Sequence, residues 1–201
     1  MAGVADLPEL VVASTNPGKI AELADLLRGR YRVLPRPSDL PDTVEDGETL
    51  EANALQKARE VAAATGRDAL ADDTGLFVDA LGGRPGVRTA RYAGPEARDE
   101  DNRAMLLAEL ADRSDAAGER SAEFRTVVAL VRPDGSAVVA RGRVEGTIVT
   151  APRGERGFGY DALFAPREGD GRTFAEMSLG EKHRYSHRAR ALADLIDQLG
   201  G

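Results

Sequence analysis

The feature that most constrains this chain is a change of period near its start. Glu9 to Ala13 is a short apolar run, long enough for a buried strand but not for a helix. It stops at Ser14-Thr15-Asn16-Pro17-Gly18-Lys19, and Ile20, Leu23, Leu26 and Leu27 then recur at helical spacing. Asn16 is a good N-cap and Pro17 stands at the favoured first helical position, so the chain reads strand, tight connection, helix. Tyr31 to Leu34 reads as a second strand, Pro35 to Gly47 as a loop and Leu50 to Ala64 as a helix closed by Gly66. Ala69 to Ala71 leads into an acidic turn, Asp72-Asp73-Thr74-Gly75, with another strand over Leu76 to Leu81. A Gly- and Arg-rich loop over Gly82 to Gly94 precedes a helix from Arg98 to Leu110. Farther on, Phe124 to Val131 and the alternating Ala137 to Val149 flank Pro133-Asp134-Gly135, which predicts an antiparallel hairpin. Ser178 and Glu181 form a capping box, and Leu192, Leu195, Ile196 and Leu199 make the apolar stripe of a last helix. Alternating elements followed by antiparallel strands predict an α/β fold, a mixed sheet with helices packed on it.

Composition narrows the function classes. The 201 residues and 42% hydrophobic content suit one domain with a real core, and no linker or repeat divides it. There is no cysteine, which excludes disulfides and thiolate metal sites. No apolar run approaches the roughly 20 residues that span a bilayer, and the start lacks signal-peptide character, so a cytoplasmic protein without a membrane partner is expected. A net charge of −7 argues against a nucleic-acid polymer as partner. Of the 27 basic residues only Lys19, Lys57 and Lys182 are lysine. A compact ammonium and a planar guanidinium are not interchangeable, so these positions are candidates for sites where arginine will not do.

Four patches could carry chemistry. The connection from Ser14 to Lys19 opens a helix whose free N–H groups and dipole suit phosphate; it also reads as an ordinary capped helix. It is not a Walker A loop, because Ala13 and Ile20 stand where that pattern needs Gly and Ser or Thr. Asp72-Asp73 could hold a cation, since adjacent carboxylates can be buried only with a cation or a proton, or it could be a solvated turn. Gly157-Phe158-Gly159-Tyr160-Asp161 could offer a base a backbone approach and an aromatic face, or supply core aromatics. The run from Glu181 to Arg188 could clamp an anion or be a solvated basic turn.

Together these patches resemble the inosine triphosphate pyrophosphatase family, also called the Ham1 or RdgB-type purine triphosphate pyrophosphatases. The matching runs are ASTNPGKIAEL (13–23), ETLEANALQKA (48–58), LADDTGLFVDALGGRPGVRTARYAG (70–94), GFGYDALF (157–164) and EKHRYSHRARAL (181–192), in family order. Only about the first eight residues lie outside the match, and they are expected to be a flexible extension of one pyrophosphatase domain covering 1–201. The resemblance implies an elongated mixed sheet flanked by helices, in two lobes with the active site in the cleft between them. It implies hydrolysis of ITP, dITP and XTP to the monophosphate and pyrophosphate, with Mg2+ as cofactor and a homodimeric assembly. Ser14, Thr15, Asn16 and Lys19 match the phosphate loop. Asp73 matches the group that activates water and, with Glu45, binds the metal. Thr74, Phe158, Gly159, Tyr160, Asp161, Lys182, His187 and Arg188 match substrate contacts, and Lys57 would offset phosphate charge. Two alternatives stay open. A Maf-type nucleotide pyrophosphatase also opens with a strand, a Ser/Asn-rich turn and a helix, although the GFGYD run and the His187-Arg188 end argue against it. A nucleotide-sensing module would bind without turnover and would not need the carboxylates.

Overall fold

The computed structural model describes residues 7–41, 43, 47–111 and 120–200. The chain forms two compact units. One contains the described residues up to Asp73 with Thr126–Gly142 and Arg188–Gly200, and the other contains Thr74–Arg125, without the undescribed stretch 112–119, and Arg143–His187. The strands β1 (Glu9–Val12), β2 (Arg32–Pro35), β3 (Ala69–Val78), β4 (Pro85–Gly86), β5 (Ser121–Val131), β6 (Ala137–Ile148) and β7 (Phe164–Pro166) follow the order β2-β1-β3-β5-β6-β7, with β4 beside β3. The expected α/β class with a mixed sheet is what forms.

In the first unit β1 (Glu9–Val12) runs parallel to β2 (Arg32–Pro35) and to β3 (Ala69–Val78), with Leu10 opposite Val33 and Val11 opposite Ala69. Parallel neighbours require crossover connections, which here are α1 (Pro17–Leu26) and α2 (Leu50–Thr65). Both helices start where local chemistry dictates. Asn16 Oδ1 accepts from the Lys19 N–H at 3.1 Å and Thr49 Oγ1 from that of Ala52 at 3.1 Å. Gly66, with φ +63°, closes α2 in the left-handed conformation that favours glycine. Leu10, Val12, Leu23, Leu27, Leu70, Val128, Leu192 and Leu195 make this unit's core. The last three come from β5 (Ser121–Val131) and α5 (His187–Gln198).

The second unit has its own core of Leu76, Leu106, Phe124, Val144, Ile148, Leu163, Phe164 and Phe174. It contains β4 (Pro85–Gly86), α3 (Asp99–Ala111), β7 (Phe164–Pro166) and α4 (Leu179–His183). β6 (Ala137–Ile148) pairs antiparallel with β7, Thr147 opposite Ala165. β5 and β6 are neighbours joined by the expected Pro133-Asp134-Gly135 turn, where Arg132 N–H donates to the Ser136 carbonyl at 2.9 Å. Ser178 and Glu181 form the expected capping box on α4.

One expectation is corrected. Asp72-Asp73-Thr74-Gly75 is not a turn but the middle of β3, a continuous ten-residue strand. Asp-Thr-Gly favours turns locally, yet here the segment sits in the sheet and its charges are neutralised by cations from distant parts of the chain. Gly75 shows how close the packing is: a Cβ there would lie 2.8 Å from the Gly86 carbonyl oxygen on β4.

Candidate active site

Because successive Cβ atoms on a strand point to opposite faces, Asp72 and Asp73 find different partners. Asp72 is 2% exposed and receives Lys19 Nζ from α1 at 3.2 Å. It also takes a two-pronged contact from α5, Arg188 Nη2 and Nε lying 3.0 and 3.2 Å from the same Oδ2. Arg188 also donates through Nη1 to Glu22, buried on α1. Asp73 instead faces α2. Lys57 Nζ lies 3.2 Å from its Oδ1 and donates to the Asp72 main-chain carbonyl at 2.9 Å. Asn53 Nδ2 donates to Asp73 Oδ2 at 3.0 Å, and Asn53 Oδ1 accepts from the Gly47 N–H at 2.9 Å. Asn53 and Lys57 stand four residues apart on one helix face, so both reach the same carboxylate.

Three carboxylates, Glu22, Asp72 and Asp73, thus share three cations, Lys19, Lys57 and Arg188. The cation that a buried acidic pair demands is supplied by the protein itself. The charges respond accordingly. Burial alone would raise the Asp72 carboxyl, but Lys19, Arg188 and Lys57 outweigh it and hold the group well below the usual carboxylate range. Burial would lower Arg188, but Asp72 and Glu22 hold it firmly protonated. At Lys19 burial wins over the attraction of Asp72, and the ammonium sits below its ordinary value.

Ahead of this network lies the connection between β1 and α1. Ser14 Oγ accepts from the Asn16 N–H at 3.2 Å, and Thr15 and Asn16 are exposed at the helix N-terminus. The expected phosphate loop, Lys19, Lys57 and Asp73 therefore belong to one unit. Thr74, half-buried, follows Asp73 on β3. Glu45 lies outside the described residues. Among the described residues no group of three His, Asp or Glu side chains gathers as a metal site.

The other expected residues form a second cluster. Asp161 is 4% exposed and its Oδ2 accepts from the Phe158 N–H at 3.0 Å and from Lys182 Nζ at 2.6 Å. The Lys182 ammonium also lies 5.1 Å from the Phe158 ring centre and 5.4 Å from that of Phe174. Gly157 is required here: a Cβ would stand 2.1 Å from Asp161 Oδ2. Tyr160 is buried and donates to the Thr89 carbonyl at 3.1 Å, and burial raises its phenol well above the ordinary range. The His187 ring stacks on Phe124, centres 4.5 Å apart at 21°. Gly159 is held on both sides by α3, its N–H by Asp99 and its carbonyl by Arg103.

All three lysines of the chain thus pair with a buried aspartate: Lys19 with Asp72, Lys57 with Asp73, Lys182 with Asp161. Sequence reasoning did not single out Glu22, Asn53, Asp99 or Arg103. The available signal was position: Asn53 and Lys57, and Asp99 and Arg103, are polar pairs at i, i+4.

The model of the Ham1 family matches residues 10–198. The chain belongs to the Ham1 family. A Geobacter sulfurreducens dITP/XTP pyrophosphatase is 49% identical over 197 residues, covering 96% of this chain and 98% of that relative. A Mycobacterium tuberculosis dITP/XTP pyrophosphatase is 48% identical, covering 95% of each. Among solved structures, a HAM1 protein from Coxiella burnetii superposes with a TM-score of 0.84 at 40% identity, covering 96% of this chain and 98% of that one. Among the described residues of this Ham1-family chain, no helix is long and apolar enough to cross a membrane.

Proposed function

We propose that this Ham1-family protein hydrolyses ITP, dITP and XTP to the nucleoside monophosphate and pyrophosphate. The observation that carries the reading is the juxtaposition of Asp73, held between Lys57 and Asn53, with Lys19 at the N-terminal end of α1. Relatives named dITP/XTP pyrophosphatase, 46–49% identical over nearly the whole chain, support the substrate class.

In this reading the N-terminus of α1, with Ser14, Thr15 and Asn16, binds phosphate oxygens through free N–H groups and hydroxyls. Lys19 and Lys57 offset the triphosphate charge. Asp73 accepts a proton from the water that attacks the α-phosphorus. A new P–O bond forms as the bond from that phosphorus to the oxygen bridging to the β-phosphate breaks, and pyrophosphate leaves with that oxygen. Asn53 orients the Asp73 carboxylate, and Arg188 acts through Asp72. The hard oxygen donors of Asp73 fit Mg2+, which is commonly held by one or two carboxylates plus substrate phosphates, and Glu45 would be the second carboxylate. When bound, Mg2+ supplies charge neutralisation at the phosphates and a more acidic water.

The purine would be read by the second cluster. Hypoxanthine and xanthine carry an acceptor at position 6 where adenine carries a donor. Lys182 and His187 can donate to that acceptor beside the Phe158 ring, while Thr74, Gly159, Tyr160 and Asp161 shape the contact. A homodimer acting on free nucleotides in the cytoplasm completes the reading, on the family resemblance; the net charge of −7 disfavours a nucleic-acid polymer as substrate.

Pyrophosphate release from ITP, XTP, dTTP and ATP with Mg2+ tests the proposal. Fast release from ITP and XTP with slow release from dTTP and ATP is expected. Preference for dTTP would favour the Maf-type alternative, and binding without release would favour a sensor.

A further inference from the structure

We infer that Asp99 and Arg103, on the first turns of α3, are positioning residues that set the purine preference by clamping the two peptide units around Gly159. The inference rests on the functional reading above, in which the loop Gly157–Asp161 meets the base.

The Gly159 N–H donates to Asp99 Oδ2 at 2.6 Å, and Arg103 Nη1 donates to the Gly159 carbonyl at 2.6 Å. Both bonds are charge-assisted, which makes them shorter and stronger than neutral ones. They come from residues four apart, hence from one face of one helix, and they grip consecutive peptide groups of the loop. No neighbour crowds this glycine at its Cβ position. Its φ is +57°, and a Cβ placed on it would meet nothing within 4 Å. The backbone just after Phe158 is held by these two bonds together with the turn bond in which the Asp161 N–H donates to the Phe158 carbonyl at 3.1 Å.

The clamp is itself anchored. Asn102, buried on the same helix turn, accepts from the Ala93 N–H at 2.8 Å and donates to the Ala90 carbonyl at 3.0 Å. Tyr160 ties the loop to the same stretch through Thr89. On its other side the loop is bound by Asp161, which holds the Phe158 N–H and Lys182. Phe158 thus sits between two anchors, and releasing the α3 anchor lets its ring and the neighbouring Lys182 ammonium shift against a bound base. Asp99 is exposed, so its bond competes with water and adds little to global stability while still selecting one loop conformation. Misplacement of a recognition loop raises KM and blurs discrimination, whereas the reacting groups stay where they were.

The test compares kcat and KM for ITP and ATP in the wild type, Arg103→Ala, Arg103→Lys and Asp99→Ala, with melting curves for each. The clamp predicts that Arg103→Ala and Asp99→Ala each raise KM for ITP and lower the ITP/ATP ratio of kcat/KM about five-fold, as for loss of one charged hydrogen bond acting indirectly. kcat for ITP should change less than about two-fold and the melting temperature little. Arg103→Lys, which keeps one cationic donor, should recover most of the ratio. An unchanged ratio in both alanine variants, or a fall in kcat with KM constant, would overturn the clamp. A wild type without any preference for ITP would sink the functional reading itself, and that result is read before any variant is made.

Discussion

The network around Asp72 and the network around Asp161 both bury aspartate, but they neutralise it differently. In the first, three carboxylates and three cations are interlocked, and one guanidinium spans Asp72 and Glu22. In the second, Asp161 accepts from the Lys182 ammonium and the Phe158 N–H beside the rings of Phe158 and Phe174. A mutually locked lattice of charges resists rearrangement, which suits groups that must hold phosphate and a proton acceptor in fixed positions. The Asp161–Lys182 pair instead sets an ammonium beside the Phe158 and Phe174 rings, a combination of donor and aromatic face that would distinguish one purine edge from another on the proposed function. On the proposed function, the first region would carry the chemistry and the second the selection.

The largest effect should come from breaking the first region at its reactive group. Asp73→Asn is nearly isosteric but removes the proton acceptor, and turnover of ITP should fall about 10²- to 10⁴-fold. The amide can satisfy only part of what Lys57 and Asn53 require, so a modest drop in melting temperature should accompany it. Activity within a few-fold of the wild type would deny Asp73 its role.

Next in size is the lattice itself. Arg188→Ala leaves Asp72 and Glu22 buried without their shared guanidinium, and should cost about 3–5 kcal/mol of unfolding free energy in denaturant titrations. The same lattice predicts a pH signature. The folded-state pKa of Asp72 lies below its unfolded value, so its contribution is present above the unfolded value of about 4 and is lost as pH falls from there toward the folded value. Wild-type stability should therefore decline below about pH 4, with a shallower slope in Asp72→Asn. Equal slopes would mean that Asp72 is not the group under strain.

How legible these regions were in the sequence follows from the range of the forces. The cap at Asn16, the Gly66 terminus, the turn at Pro133-Asp134-Gly135 and the Ser178 capping box obey rules acting within a few residues, and all were read correctly. The acidic pair was misread as a turn because its partners are remote: Lys57 stands 15 residues away and Arg188 stands 116. Glu22 follows the ordinary look of a solvated residue on an amphipathic helix, and only the position of Arg188 reveals that it is buried. The scarcity of lysine was informative for a reason visible only in three dimensions, each ammonium sitting on a buried aspartate. Asp99 and Arg103 announce themselves only as a polar pair at i, i+4, because their partner is a backbone peptide rather than a side chain.

The division of labour is tested most directly by one comparison: kcat/KM for ITP and for ATP in Asp73→Asn and His187→Ala. Asp73→Asn should lower both values by the same large factor and leave their ratio unchanged. His187→Ala should lower the ratio about ten-fold, because losing a donor removes a contact from ITP and a penalty from ATP. A ratio that stays flat in His187→Ala, or that collapses in Asp73→Asn, would contradict the assignment of chemistry to one region and selection to the other.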